Sequence, residues 1–224
     1  MDDRLIGRAG FLGLLGVGAA GLFYGRNVQS FFGRVVPQQL QAIVPSGGWR
    51  IYTIGNGLPD LPPASYRLEV TGMVARRRTF TLADLRSLER ADQVSDFHCV
   101  TGWSVGNVRW GGVRIQTLLD EVQPHAGATA IRFTSAEPGY NDSLTLDQAL
   151  LPDVLLAYAM DGGPLSRPHG APLRFVIPEM YGYKNVKWVT KIELLPHPYA
   201  GFWEQHGYDA NAWVGRSNGH GSGA

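Results

Sequence analysis

Glycine and proline restrict what this chain can fold into more than any other feature. It holds 29 glycines and 14 prolines in 224 residues. A helix interior loses about 1 kcal/mol for each glycine and about 3 kcal/mol for each proline. A helical bundle is therefore a poor solution, and a chain rich in strands and loops is a good one. Hydrophobic residues at 44% against 17% charged residues leave enough apolar surface for a packed core. The formal charge of +1 gives no reason to expect nucleic-acid binding. There is one cysteine, Cys99. It excludes an intrachain disulfide and any multi-cysteine zinc or iron–sulfur site. A lone cysteine is left with three roles: a nucleophile, a ligand to a metal that a cofactor brings, or an inert core thiol.

The charges are unevenly spread. From Arg4 to Pro59 there are five arginines and no acid. Between Arg8 and Arg26 lie 17 uncharged, Gly-rich residues. As a helix they would reach roughly 26 Å, a little short of the ~30 Å hydrocarbon core. Arg8-Ala9-Gly10-Phe11-Leu12 is similar to the twin-arginine export signal with its second arginine replaced by alanine. Residues 1–26 thus read as a signal or membrane-anchor segment, and a buried N-terminal helix is the alternative. Gly16-Val17-Gly18-Ala19-Ala20-Gly21 fits the dinucleotide fingerprint by accident, because no acid that would hold a ribose occurs before Asp60. Residues 27–48, broken by Pro37 and Pro45, read as a tether, and residues 216–224 as a small, polar tail.

The remainder, 49–215, predicts a single α+β domain with a mixed sheet. Tyr66, Leu68 and Val70 alternate with polar residues in a half-buried strand. Thr81 with Asp84, and Thr145 with Gln148, form capping-box pairs ahead of short helices. Ile115–Val122 reads as a helix; 93–97, 130–134, 154–160, 173–177 and 186–195 read as strands, with a hairpin at Asp161-Gly162-Gly163. In the last strand Val186, Trp188, Thr190 and Ile192 alternate against Lys187, Val189, Lys191 and Glu193. No βαβ rhythm is visible.

Two regions combine aromatic, basic and glycine residues beyond what a core needs: 96–104 around His98-Cys99, and 166–187 around His169, Arg174, Lys184 and Lys187. Arg174, Lys184 and Lys187 can equally be a solvated face or a receptor for a phosphate or another anion. A thiol enzyme pairing Cys99 with His98 is disfavoured, since adjacent strand residues point to opposite faces.

Over roughly residues 49–215 the chain resembles the molybdopterin-binding domain of the sulfite oxidase family. Within it, it is most similar to the bacterial periplasmic methionine-sulfoxide reductase branch. The resemblance rests on Cys99-Val100-Thr101-Gly102-Trp103-Ser104, on Thr134, on His169-Gly170-Ala171-Pro172-Leu173-Arg174, and on Tyr181-Gly182-Tyr183-Lys184-Asn185-Val186-Lys187. It implies a molybdenum–molybdopterin cofactor (Mo-MPT) whose metal takes Cys99 as its protein ligand. Thr134, His169, Arg174, Asn185, Val186 and Lys187 would hold the cofactor, with Arg174 and Lys187 toward its phosphate. A soft thiolate suits such a metal.

The resemblance further implies two-electron oxo transfer on a small or side-chain substrate, with sulfoxide reduction as one form. It also implies a separate redox partner, such as a membrane haem protein, and an extracytoplasmic location. A non-catalytic binding module on the same fold is the alternative. The arginine run that follows the cysteine in sulfite oxidases is missing here. The upstream Asn-x-x-Tyr-Glu element of the sulfoxide-reductase branch has no counterpart near Asn56. The wall near Trp103 and Tyr183 is expected to be aromatic, favouring a neutral or weakly polar substrate.

Overall fold

The computed structural model describes residues 48–55 and 57–217. The expected anchor over 1–26, the tether up to residue 47 and the tail beyond residue 217 lie outside the described residues. Among the described residues no helix is long and apolar enough to cross a membrane.

Residues from Ile51 onward form one compact unit. Its chain order is β1 (Arg67–Gly72), β2 (Arg78–Thr81), α1 (Leu82–Ser87), β3 (Ala91–Cys99), β4 (Trp103–Arg114), α2 (Ile115–Val122), β5 (Ala130–Ser135), β6 (Asn141–Thr145), α3 (Leu146–Ala149), β7 (Leu155–Met160), β8 (Gly163–Pro164), β9 (Arg174–Val176) and β10 (Val189–Leu195). The strands divide into two sheets. One runs β2-β1-β10-β5-β6 and is mixed, because β1 pairs with β10 in parallel. The other runs β3-β4-β7-β8, with β9 also paired to β7, and is antiparallel throughout. Phe133 of β5 stacks on Phe175 of β9 with ring centres 4.0 Å apart, so the two sheets share one core.

Local chemistry explains the elements. Thr81 Oγ1 accepts from the Asp84 N–H at 3.0 Å while the Asp84 carboxylate accepts from the Thr81 N–H at 2.8 Å, closing the capping box of α1. Thr145 and Gln148 do the same for α3. In α2 the residues Ile115, Leu118, Leu119 and Val122 form one buried stripe. The last strand departs from the expected alternation. Trp188 takes φ 51°, and the pairing with β5 shifts register between Val189 and Lys191. Val189, Ile192 and Leu194 therefore face the core together with Trp188, and the regular strand begins only at Val189. The whole of β4 was not anticipated. Gly106, Gly111 and Gly112 break its alternation, and Asn107 at φ 58° breaks its path opposite Asp96, whose carboxylate accepts the Asn107 N–H at 2.8 Å.

A buried ion cluster joins β6, the 3-10 turn Gly182–Lys184 and the C-terminal segment. Lys184 Nζ donates to Asp142 Oδ1 at 2.7 Å, to the Ser143 carbonyl at 3.2 Å and to Glu204 Oε1. All three side chains are 2–4% exposed. Burial pushes the Asp142 carboxyl up to about 7, with Glu204 adding to it and Lys184 only partly offsetting it. Burial acts to lower Lys184, but the two carboxylates outweigh it and hold the ammonium above its usual range. With its pKa raised, Asp142 keeps a proton in the fold that the unfolded chain has lost, so its contribution weakens as pH rises from about 4 to 7. Replacing Lys184 with Met removes the one cation between two buried carboxylates. The variant should lose about 3–5 kcal/mol at pH 8. Denaturant melts of both proteins should show that gap narrowing toward pH 5, where Asp142 with its raised pKa holds its proton.

Candidate active site

The hairpin of β3 and β4 places Cys99. It is the last residue of β3 and pairs directly with Trp103, across a turn closed by the Gly102 N–H donating to the Cys99 carbonyl at 3.0 Å. The thiol is free and half-buried, with Sγ 3.2 Å from Thr101 Oγ1. Directly paired residues share a sheet face, so Phe97, Cys99, Trp103 and Val105 lie together. His98 and Ser104 occupy the opposite face and bond to each other at 2.8 Å. The geometry thus separates Cys99 from His98. Phe97 packs on Trp103 with ring centres 5.7 Å apart, and Tyr52 reaches Trp103 at 6.4 Å.

A second cluster adjoins this face through Phe97. Arg174, at the start of β9, is 2% exposed. Its guanidinium lies 5.5 Å from the Phe97 ring centre and 5.0 Å from that of Trp110. It donates to the carbonyls of His169 at 3.1 Å and Asn185 at 3.5 Å, while Nε is buried without a hydrogen-bond partner. Lys187 Nζ donates to the Tyr52 carbonyl at 2.8 Å and the Pro168 carbonyl at 3.4 Å. Gly170, at φ 103°, lets the backbone pass so close that a Cβ there would lie 3.0 Å from that of Lys187 and 3.1 Å from that of Arg174. Among the described residues neither Arg174 nor Lys187 forms an ion pair. Burial pushes Arg174 down to about 10. Burial and then Arg174 push Lys187 down to about 7. Burial, Arg174 and Lys187 push His169 down to about 4, so the imidazole is neutral at physiological pH. A buried guanidinium and a half-buried ammonium, neither with a carboxylate partner, linked through Phe97 to the face that carries a soft thiol, suit a ligand that is anionic at one end and metal-bearing at the other.

Comparison with known proteins decides the family. Residues 56–203 match the oxidoreductase molybdopterin binding domain. The chain belongs to this family. It is 37% identical over 145 residues to the uncharacterized oxidoreductase YuiH of Bacillus subtilis, covering 64% of this chain and 72% of that one. It is 29% identical over 234 residues to a protein-methionine-sulfoxide reductase catalytic subunit of Gluconobacter oxydans, covering 92% of this chain and 75% of that one. Among solved structures the sulfane dehydrogenase SoxCD of Paracoccus pantotrophus shares the fold. Its TM-score is 0.59 at 24% identity, over 63% of this chain and 41% of that one.

As a molybdopterin-binding oxidoreductase, the chain has residues that suit its cofactor. The unpartnered Nε of Arg174 and the ammonium of Lys187 suit a phosphate. Thr134 is the penultimate residue of β5, next to Ser135, whose hydroxyl donates to the Lys187 carbonyl at 2.8 Å; the Thr134 carbonyl itself accepts from Thr190 Oγ1 at 3.4 Å. Four residues of the motif have internal partners. Lys184 is committed to Asp142 and Glu204, so the expected trio of cations is a pair. Asn185 is 3% exposed; its side chain accepts from the Ile177 N–H at 2.9 Å and donates to the carbonyls of Ile177 and Met180 at 3.2 and 3.3 Å. The N–H groups of Asn185 and Val186 donate to the Gly182 and Lys184 carbonyls, each at 3.1 Å, and Val186 is fully buried. Tyr183 turns from the expected wall into the core, its hydroxyl donating to the Asp209 carbonyl at 2.7 Å and its ring against Tyr208. Tyr52 and Phe97, not Tyr183, accompany Trp103.

Phe97 and Arg167 lie within the two regions singled out in the sequence, but no motif marks Tyr52 or Glu137, whose roles come from chain crossings. The sequence signal that could have pointed to Glu137 is its place in the Pro-Gly turn Glu137-Pro138-Gly139; its burial is visible only in the structure.

Sulfate stays a dianion above pH 3, so it reports on Lys187 without titrating itself. Calorimetry on cofactor-free protein at constant ionic strength should show sulfate affinity highest below pH 7. It should fall about tenfold or more by pH 9 as the ammonium is lost. Lys187→Arg should keep the affinity and abolish its pH dependence. A flat profile in the wild type would move the anion away from Lys187.

Proposed function

We propose that this molybdopterin-dependent oxidoreductase reduces sulfoxides through its Cys99 face. In this reading Cys99 ligates the molybdenum. Arg174 and Lys187 hold the cofactor's phosphate, and Thr134 and neutral His169 face its pterin. Asn185 and Val186 act one step back by holding the loop that carries Lys187. Bound there, the cofactor supplies the two-electron oxidation–reduction that oxo transfer requires. The balance for a sulfoxide is two electrons and two protons in, S–O bond broken, sulfide and one water out.

The observation that carries this reading is the composition of the wall. Phe97, Trp103 and Val105 share the face of Cys99, and Tyr52 lies tilted against Trp103; none of them is charged. Arg174 lies over the rings of Phe97 and Trp110. A sulfite dianion would meet aromatic rings, whereas a sulfoxide brings a polarisable sulfur and apolar substituents that favour them. The likeness to the Gluconobacter oxydans protein-methionine-sulfoxide reductase supports the same choice. Within this proposal the electrons come from a separate redox protein, a membrane haem protein being one suitable class. The enzyme works on the extracytoplasmic side, directed there by residues 1–26.

Protein purified from a molybdenum-replete host should contain molybdenum and pterin, and should turn over a neutral sulfoxide faster than sulfite. Cys99→Ser should lose turnover while its thermal melt stays near wild type, because the hydroxyl is nearly isosteric but a harder ligand. Full activity in that variant would remove Cys99 from the metal. Sulfite as the better substrate would reverse the choice of substrate class.

A further inference from the structure

A carboxylate outside every recognised motif holds the segment upstream of β1 in place. Glu137 is 3% exposed. Its Oε1 accepts the Ile54 N–H at 2.6 Å, the Gly55 N–H at 3.0 Å and the Thr53 hydroxyl. Three donors on one buried carboxylate oxygen are a strong, directional dock. The Glu137 N–H donates to Ser135 Oγ at 3.0 Å, and that hydroxyl donates to the Lys187 carbonyl. Lys187 in turn holds the Tyr52 carbonyl. Arg167, at the start of the turn that carries His169, fixes the far end of the segment through the Pro59 carbonyl at 3.0 Å and the Leu58 carbonyl. Residues 52–55 and 58–59 are thus tied by Glu137, by the candidate cofactor residue Lys187 and by Arg167, two positions before His169. Its first side chain, Tyr52, lies against Trp103, the direct partner of Cys99.

We infer that Glu137 is a positioning residue that docks residues 53–55, and that it thereby seats Tyr52 on Trp103 as a specificity-determining part of the substrate wall. The second half rests on the sulfoxide reading above. Tyr52 is 52% exposed, so it presents ring surface to an entering molecule while its backbone is held. An aromatic contact of this kind selects uncharged, sulfur-bearing substrates and offers nothing to a dianion.

Two measurements on the full chain test this. Hydrogen exchange by mass spectrometry reads the dock without any turnover. Glu137→Ala should speed exchange over residues 53–57 about tenfold or more while β1 and β10 keep their protection. Glu137→Gln, which retains one carbonyl acceptor, should recover part of it. Steady-state kinetics per bound molybdenum reads the wall. Tyr52→Ala and Glu137→Ala should each raise the KM for methyl phenyl sulfoxide roughly threefold to tenfold with kcat changed by less than about twofold. Unchanged exchange in Glu137→Ala would overturn the dock. An unchanged KM in Tyr52→Ala would overturn the wall, as would a drop in molybdenum content with KM intact, which would give the segment to cofactor retention. If wild-type protein holds no molybdenum, the sulfoxide reading fails and the specificity half falls with it, while the exchange result still decides the dock.

Discussion

The buried guanidinium of Arg174 is the constraint around which the site is organised. A cation taken out of water costs several kcal/mol unless its charge is answered. Here the answer is two backbone carbonyls and the faces of Phe97 and Trp110. Cation–π contacts of about 0.5–2 kcal/mol each offset only part of that cost. The consequences spread outward. One end of the guanidinium fixes the turn carrying His169, the other fixes the loop before Lys187, and burial, with the Arg174 charge adding to it, keeps both neighbours from holding a proton easily. An anion placed among them would oppose these shifts, raising Lys187 toward its ordinary range. In the proposed reading, where that anion is the cofactor's phosphate, cofactor binding and protonation are coupled for that reason.

Lys184 and Lys187 stand three residues apart in one run and have opposite fates. The 3-10 turn Gly182–Lys184 sends the first lysine inward to Asp142 and Glu204. The side-chain amide of Asn185 then locks onto Ile177 and Met180, and the chain emerges with Lys187 beside Arg174. A buried cation with two carboxylates is a structural fastener. A half-buried cation whose partners are only carbonyls is left electrostatically unfinished. The turn geometry, invisible in the motif itself, sorts the two.

This explains which parts could be read from the sequence. Helix caps and amphipathic stripes depend on neighbours within four residues, and α1, α2 and α3 match their reading from Thr81, Ile115 and Thr145. Strands with clean alternation, such as β1, were equally legible. Where a bulge or a positive φ interrupts the period, as at Trp188 and Asn107, the pattern misplaced the inward residues or hid the strand. Within the candidate site, Cys99, His169, Arg174 and Lys187 lie in contiguous motifs that carry the family resemblance, while their spacing alone leaves their roles open. The contribution of Tyr52 lies in none of them. It arises because Glu137, more than 80 positions away, captures the backbone next to it, and nothing local marks that pairing.

The same distinction bears on how such a site can change substrate. In this reading the cofactor has two anchors of opposite chemistry, a soft thiolate at the hairpin tip and a cationic pair behind Phe97. Both are built into sheet strands or tied to them by buried hydrogen bonds. Moving either would disturb the core: Arg174 heads a strand between Leu173 and Phe175, both fully buried. The substrate wall is cheaper to alter. Trp103 sits at the first position of β4, and Tyr52 belongs to a segment that reaches the site through hydrogen bonds rather than burial. Replacing those two side chains with cations would convert an apolar wall into an anion pocket without touching the residues that hold the cofactor. Selection on a chain of this architecture can therefore act on the strap and the hairpin tip while the redox centre stays fixed.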